Sequence, residues 1–143
     1  MVGIDVGGTK VLARLADPGR PTEVLAEARR PTPAGGAALL ATLEELALEV
    51  VRAVEPGARP AAVGVGLPGL VDDRGVLRFA PHLPGVTGLA VRGELEARLG
   101  VPVGVANDAT ATALAEARVG AGRGHRHVLV VAFGTGIGGG LVV

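Results

Sequence analysis

Apolar positions change their spacing along the chain, and each change marks an element. Val2 to Val6 reads as an apolar strand, Gly7-Gly8-Thr9 as a tight turn and Lys10 to Ala16 as a second strand. Asp17-Pro18-Gly19 is a turn signal, and a third strand is predicted around Thr22 to Ala28, which makes the opening an antiparallel meander. Pro31 and Pro33 break that pattern. From Gly36 to Val54, Leu39, Leu43, Leu46, Val50 and Val54 recur three and four positions apart, which places them on one face of a helix that Pro56-Gly57 stops. Ala62 to Gly66 is a short apolar strand ended by Leu67-Pro68-Gly69. Residues 70 to 88 read as irregular, with the pattern of one short strand at Val76 to Phe79. A second helix is predicted from Leu89 to Leu99 with Gly100 behind it, a strand from Pro102 to Ala106, and a third helix from Asp108 to Val119 closed by Gly120. Val128 to Phe133 is again an apolar strand. A glycine-rich run, Gly134 to Gly140, separates it from a strand beginning at Leu141.

A meander followed by alternating helices and strands is an α/β pattern with a mixed sheet and flanking helices. The last hairpin repeats the first: apolar strand, glycine-rich turn holding a threonine, apolar strand. It reads as the first element of a second, related domain, and a chain stopping inside a strand reads as a truncated one.

Composition narrows the function classes. The 143 residues are 48% hydrophobic, enough for a real core, and the 14 basic and 14 acidic side chains cancel. That leaves no basic footprint for nucleic acid and no acidic tail. With no cysteine, disulfides, thiolate nucleophiles and cysteine-based zinc sites are excluded within the chain. Asp5 interrupts the opening apolar run, so no signal peptide is read, and no stretch approaches the length of a membrane span. A soluble cytoplasmic protein is expected. Phe79 and Phe133 are the only aromatics, which argues against stacking of bases or sugars on aromatic platforms. The single lysine among fourteen basic residues is Lys10, inside the first motif below.

Four short segments carry candidate chemistry. In Asp5-Val6-Gly7-Gly8-Thr9-Lys10, two glycines let the backbone approach a phosphate and aim amide hydrogens at it, and Thr9 adds a hydroxyl. Asp5 could hold Mg2+ through water. A plain hairpin turn is the simpler alternative, but the flanking Asp and Thr-Lys favour the phosphate reading. Gly134-Thr135-Gly136 opens the second glycine run. Gly134, Gly136 and Gly139, like Gly64, Gly66 and Gly69, match a dinucleotide fingerprint, yet neither set is followed by the helix that fingerprint needs. A phosphate-wrapping β-turn and a simple flexible turn both remain open there. Asn107-Asp108 stands where a strand gives way to a helix. A carboxylate there can take the proton of an attacking hydroxyl, but Asn and Asp are also favoured helix caps, and in isolation the cap reading is the stronger. Leu67-Pro68-Gly69-Leu70-Val71-Asp72, read alone, is a turn. His125 and His127 lack a third ligand, and Glu44, Glu45 and Glu49 form a solvated helix face.

Taken in order, Asp-x-Gly-Gly-Thr-Lys, Gly-x-Pro-Gly-x-Val-Asp, Pro-Val-x-x-x-Asn-Asp-Ala and Gly-Thr-Gly-Ile-Gly-Gly-Gly resemble the ROK family of sugar kinases and repressors across the whole chain. The resemblance implies the actin-like (ribonuclease H-like) ATPase fold, two domains closing over a cleft. Residues 1–122 would be the N-terminal kinase domain and 123–143 the first hairpin of the second. It implies ATP-dependent phosphorylation of a hexose at carbon 6, with ATP and Mg2+. Asp5 would organise Mg2+, with Gly7, Gly8, Thr9 and Lys10 near the ATP phosphates and Gly134, Thr135 and Gly136 as the second phosphate loop. Asn107 would hydrogen-bond sugar hydroxyls, Asp108 would be the general base, and Gly66 and Gly69 would shape the sugar pocket. The expected partners are a small-molecule sugar and ATP in a homo-oligomer, with no nucleic acid and no membrane.

The chain departs from the family pattern at His82-Leu83-Pro84-Gly85-Val86, where Asn-Leu-Pro-Gly-Trp is usual, and at Ala109-Thr110, where Ala-Asn is usual. The family's Glu-x-x-Gly-His segment, zinc site and adenine pocket lie further along and are not in this chain, so the isolated chain is expected to be an inactive half. The alternatives are a sugar-sensing repressor fragment, disfavoured because the first motif already begins at residue 5, and another kinase of the same fold.

Overall fold

The computed structural model describes residues 1–133 and 137–143. Its main sheet is built from β1 (Val2–Val6), β2 (Lys10–Asp17), β3 (Arg20–Pro31), β4 (Val63–Leu67) and β8 (Val103–Asn107), in the order β3-β2-β1-β4-β8. β1, β4 and β8 run parallel, while β2 and β3 return antiparallel as the predicted meander. Between β4 and β8 lie β5 (Leu70–Val71), β6 (Val76–Phe79) and β7 (Leu89–Ala90), a small antiparallel sheet within the stretch expected to be mostly irregular. β6 is the short strand expected at Val76 to Phe79, while β5 and β7 are two residues long, too short for a period-two pattern to stand out.

Helices α1 (Gly36–Arg52) and α2 (Val91–Leu99) cover one face of the main sheet. Leu39, Leu43, Leu46 and Val50 are buried, as their spacing predicts. Val54 is not: α1 ends at Arg52, before the Pro-Gly stop, and Val54 is exposed. The helical face packs on Val2, Ile4, Val6, Val63, Val65 and Val105, the inward residues of β1, β4 and β8. Alternation in the strands decides this, since successive side chains point to opposite faces. The outward residues are nearly free of side chains. Gly3, Gly64 and Gly104 stand side by side across β1, β4 and β8, and a Cβ on any of them would meet nothing within 4 Å.

α3 (Asp108–Val119) follows β8 directly and carries a third, two-stranded sheet, β9 (Val128–Phe133) and β10 (Ile137–Val142). β10 begins four residues earlier than the sequence suggests, and its strand includes Gly138, Gly139 and Gly140. The cause is α3. A Cβ on Gly138 would lie 3.3 Å from Ala109 Cβ, and one on Gly140 would lie 2.5 Å from Ala113 Cβ and 2.8 Å from the Ala109 carbonyl oxygen. These glycines serve helix-to-strand contact in place of a turn. Among the described residues, no helix is long and apolar enough to cross a membrane.

Candidate functional site

Parallel β1, β4 and β8 end at the same edge, and that edge collects the predicted site residues. Asp5 pairs with Gly66, and Gly66 with Ala106. Asn107 closes β8 and Asp108 opens α3. Gly66 adjoins both aspartates: a Cβ there would lie 3.6 Å from Asp108 Cα and 3.9 Å from Asp5 Oδ1. Partial burial holds the Asp5 carboxyl above the usual carboxylate range. The negative charge of Asp108 adds to this and Lys10 opposes it. Two carboxylates incompletely neutralised by one lysine form an oxygen donor set suited to a hard divalent cation. Among the described residues no group of three or more acidic or histidine side chains surrounds such an ion, so water and phosphate oxygens would have to complete its shell.

The Gly7-Gly8-Thr9 turn sits beside Asp5. Gly7 N–H donates to the Lys10 carbonyl at 2.8 Å, which closes the turn. Thr32, just past β3, clamps it from the side: its hydroxyl donates to the Gly7 carbonyl at 2.7 Å and its N–H to the Thr9 carbonyl at 3.0 Å. Among the described residues, no hydrogen bond engages the amides of Gly8 and Thr9 or the Thr9 hydroxyl. Exposed amides in a tight turn are what phosphate oxygens bind. Thr32 was not visible in the sequence as a site residue, because its partners are set by the β2–β3 register and not by a local motif.

Asn107 is the N-cap of α3, as its isolated reading favours: its Oδ1 accepts from Thr110 N–H at 3.1 Å. Its Nδ2 donates to the Gly69 carbonyl at 2.9 Å, tying the β4–β5 turn to the helix start. Gly69 has φ +126°, and a Cβ there would run into the Phe79 carbonyl, so the turn admits only glycine. Asp108 Oδ1 accepts from Ala109 N–H at 2.8 Å. Asp72 organises the β5–β6 hairpin by accepting from the N–H groups of Arg74 and Val76 and pairing with Arg78. These bonds, that of Val76 first, hold its carboxyl below the usual range. Next to Asn107 opens a cleft of about 620 Å3, lined by Gly69, Asp72, Phe79, His82, Asn107 and Thr110 among others. Phe79, one of the two phenylalanines, thus lines a cleft, a placement that no local pattern reveals.

A family model described as ROK family matches residues 1–143. The chain belongs to the ROK family. It is 35% identical to the glucokinase of Streptomyces coelicolor, over 99% of this chain and 43% of that protein. Among solved structures it is similar to the ROK hexokinase from Thermus thermophilus, with 43% identity and a TM-score of 0.85 over 99% of this chain and 46% of that one. It is also similar to the ROK family glucokinase from Streptomyces griseus in complex with glucose and AMPPNP, with 34% identity and a TM-score of 0.86 over 99% and 44%. The chain therefore spans less than half the length of these relatives. The expected α/β, actin-like ATPase fold of ROK sugar kinases is the fold observed.

Of the residues expected to serve ROK chemistry, Asp5, Gly7, Gly8, Thr9, Lys10, Gly66, Gly69, Asn107 and Asp108 gather at one sheet edge and its adjoining turns. Gly134, Thr135 and Gly136 lie outside the described residues. His125 and His127 line a separate cleft at the far end of α3, where Glu116 already accepts from Ala121 N–H.

Proposed function

We propose that this chain is the nucleotide- and sugar-binding N-terminal part of an ATP-dependent hexose kinase, transferring a phosphoryl group to the primary hydroxyl at carbon 6. The observation that carries the proposal is that Asp5 and Asp108 both adjoin Gly66, next to a turn with open amides and to Asn107, which lines a cleft large enough for a hexose. In this reading Asp108 accepts the proton of the sugar hydroxyl as its oxygen bonds to the γ-phosphorus of ATP. The bond from that phosphorus to the bridging oxygen breaks and ADP leaves. The Gly8 and Thr9 amides and Lys10 hold the phosphates. Mg2+, held by Asp5 through water, would neutralise charge on the phosphate oxygens.

Gly134, Thr135 and Gly136 are proposed as a second phosphate loop, with residues 123–143 as the start of a second domain. Gly66 and Gly69 shape the sugar pocket, and Asn107 positions it. The relatives' remaining length would supply the opposing wall, so the 143-residue chain alone is expected to be silent, and the complete protein to work as a cytoplasmic homo-oligomer. Phosphorus NMR of the complete polypeptide with ATP, Mg2+ and glucose tests the reading. A sugar 6-phosphate signal is expected. ATP consumption with no phosphorylated hexose from glucose, mannose, fructose or N-acetylated hexosamines would contradict it.

A further inference from the structure

The cleft beside Asn107 holds five polar side chains, and most are already engaged by the protein. Asp72 is bound by two backbone N–H groups and Arg78. Asn107 spans Gly69 and Thr110, and the Thr110 hydroxyl leans back on Asn107 Oδ1 at 3.5 Å. Asp73 is exposed at the hairpin tip, where Arg92 holds its backbone carbonyl and not its carboxylate. His82 likewise makes no side-chain hydrogen bond among the described residues, and of the two it is the one that also adjoins the phosphate turn. A Cβ built on Gly8 would lie 3.9 Å from the Cβ of this cleft-lining His82.

The backbone around it is fixed. Ala80, Leu83 and Val86 are buried on either side, Leu83 N–H donates to the Ala80 carbonyl at 3.1 Å, and Gly35 N–H to the Pro84 carbonyl at 3.2 Å. The anchored segment fixes where the imidazole is attached, while the exposed ring keeps the freedom to turn toward a ligand. A neutral imidazole offers one donor and one acceptor, the complement of a hydroxyl that also donates and accepts. Leu70 and Phe79, both largely exposed, give the same cleft an apolar wall for the carbon face of a pyranose.

We propose that His82 is a specificity-determining residue of the acceptor pocket, hydrogen-bonded to a ring hydroxyl of the sugar next to the phosphate turn; this rests on the sugar-pocket reading above. The test uses the complete polypeptide with labelled histidine and asparagine, titrated with D-glucose and with the monodeoxy glucoses. Glucose should move the imidazole signals of His82 and the side-chain amide of Asn107, while His125 and His127, in the other cleft, stay still. His82→Ala should weaken glucose binding about twofold to tenfold, the net worth of one hydrogen bond. One deoxy sugar should bind His82→Ala and the parent alike, and His82→Asn should recover part of the loss. Movement of Asn107 without His82, or parental affinity in His82→Ala, would overturn the inference and leave the pocket reading standing. Stillness at Asn107 and His82 together would remove the pocket reading and this inference with it.

Discussion

Replacing Gly69 with alanine should cost far more than replacing Gly64, although both glycines belong to the same short stretch of chain. Gly69 sits at φ +126°, where an L side chain is strained by about 1–3 kcal/mol. Its added Cβ would collide with the Phe79 carbonyl and crowd Ala80 Cα at 3.1 Å. Both are main-chain atoms, so no rotamer change relieves the clash and the turn itself must move. That movement breaks the 2.9 Å bond from Asn107 Nδ2 to the Gly69 carbonyl, worth about 1 kcal/mol. The sum is a loss of about 2–4 kcal/mol, large against a typical domain stability of about 5–15 kcal/mol. Gly64 lies mid-strand with open space around its would-be Cβ and no positive φ. Alanine there should be neutral or stabilise by up to about 1 kcal/mol. Urea unfolding with unchanged slope reads both differences. Equal losses at the two positions, or a Gly69→Ala variant within about 0.5 kcal/mol of the parent, would refute the account of the turn.

Three further outcomes follow from the structure. Asp5 has its pKa raised above 3.8, so between that value and the raised one the folded state binds more protons than the unfolded chain, and stability falls as pH rises through that window. Asp5→Asn should flatten that part of a stability–pH profile and abolish Mg2+-dependent nucleotide binding by the complete polypeptide; an unchanged profile would contradict the burial and charge argument. Gly140→Ala should loosen the β9–β10 hairpin from α3, because its Cβ would fall 2.5 Å from Ala113 Cβ, and hydrogen exchange in β10 should rise while α1 stays protected. The outer face of that hairpin pairs Leu129 with Leu141 and Phe133 with Ile137, all at least 65% exposed. The chain should therefore self-associate, through a face that could contribute several kcal/mol at about 25 cal/mol per Å2 of apolar surface; sedimentation that shows a clean monomer with and without residues 127–143 would rule this out.

Much of the fold could be read from local pattern. The meander, α1 and α3 rest on periodicities that persist over five residues or more, and their bounds came within a few positions. β5 and β7 did not show because two-residue strands have no period. The glycines of β10 misled because a turn and a close helix contact both call for a missing side chain, and only α3 tells them apart. At the site, the motifs could be seen one by one. That Asp5, Gly66 and Asp108 adjoin could not be read from any of them; it comes from the parallel register of β1, β4 and β8. Thr32 was missed for the same reason: it belongs to no motif and reaches the phosphate turn only through the β2–β3 register. His82 stood out only as a departure from the Asn-Leu-Pro-Gly-Trp pattern, and its nearness to Gly8 comes from the packing of a distant segment. Asn107 carries two duties where isolated reading offered a choice: it caps α3 and also pins the Gly69 turn.

The central claim is that Asp108 takes the proton from an acceptor sugar at this sheet edge. It can be tested in a folded chimera that joins residues 1–143 to the part of the Thermus thermophilus ROK hexokinase beyond the matched 46%. The measurement is single-turnover phosphoryl transfer from ATP to glucose, with and without Asp108→Asn. The account predicts transfer in the parent chimera. It also predicts a loss of about a hundredfold or more in the variant, the scale of general-base catalysis, with glucose affinity little changed. A variant that transfers phosphate at the parent's rate would contradict it.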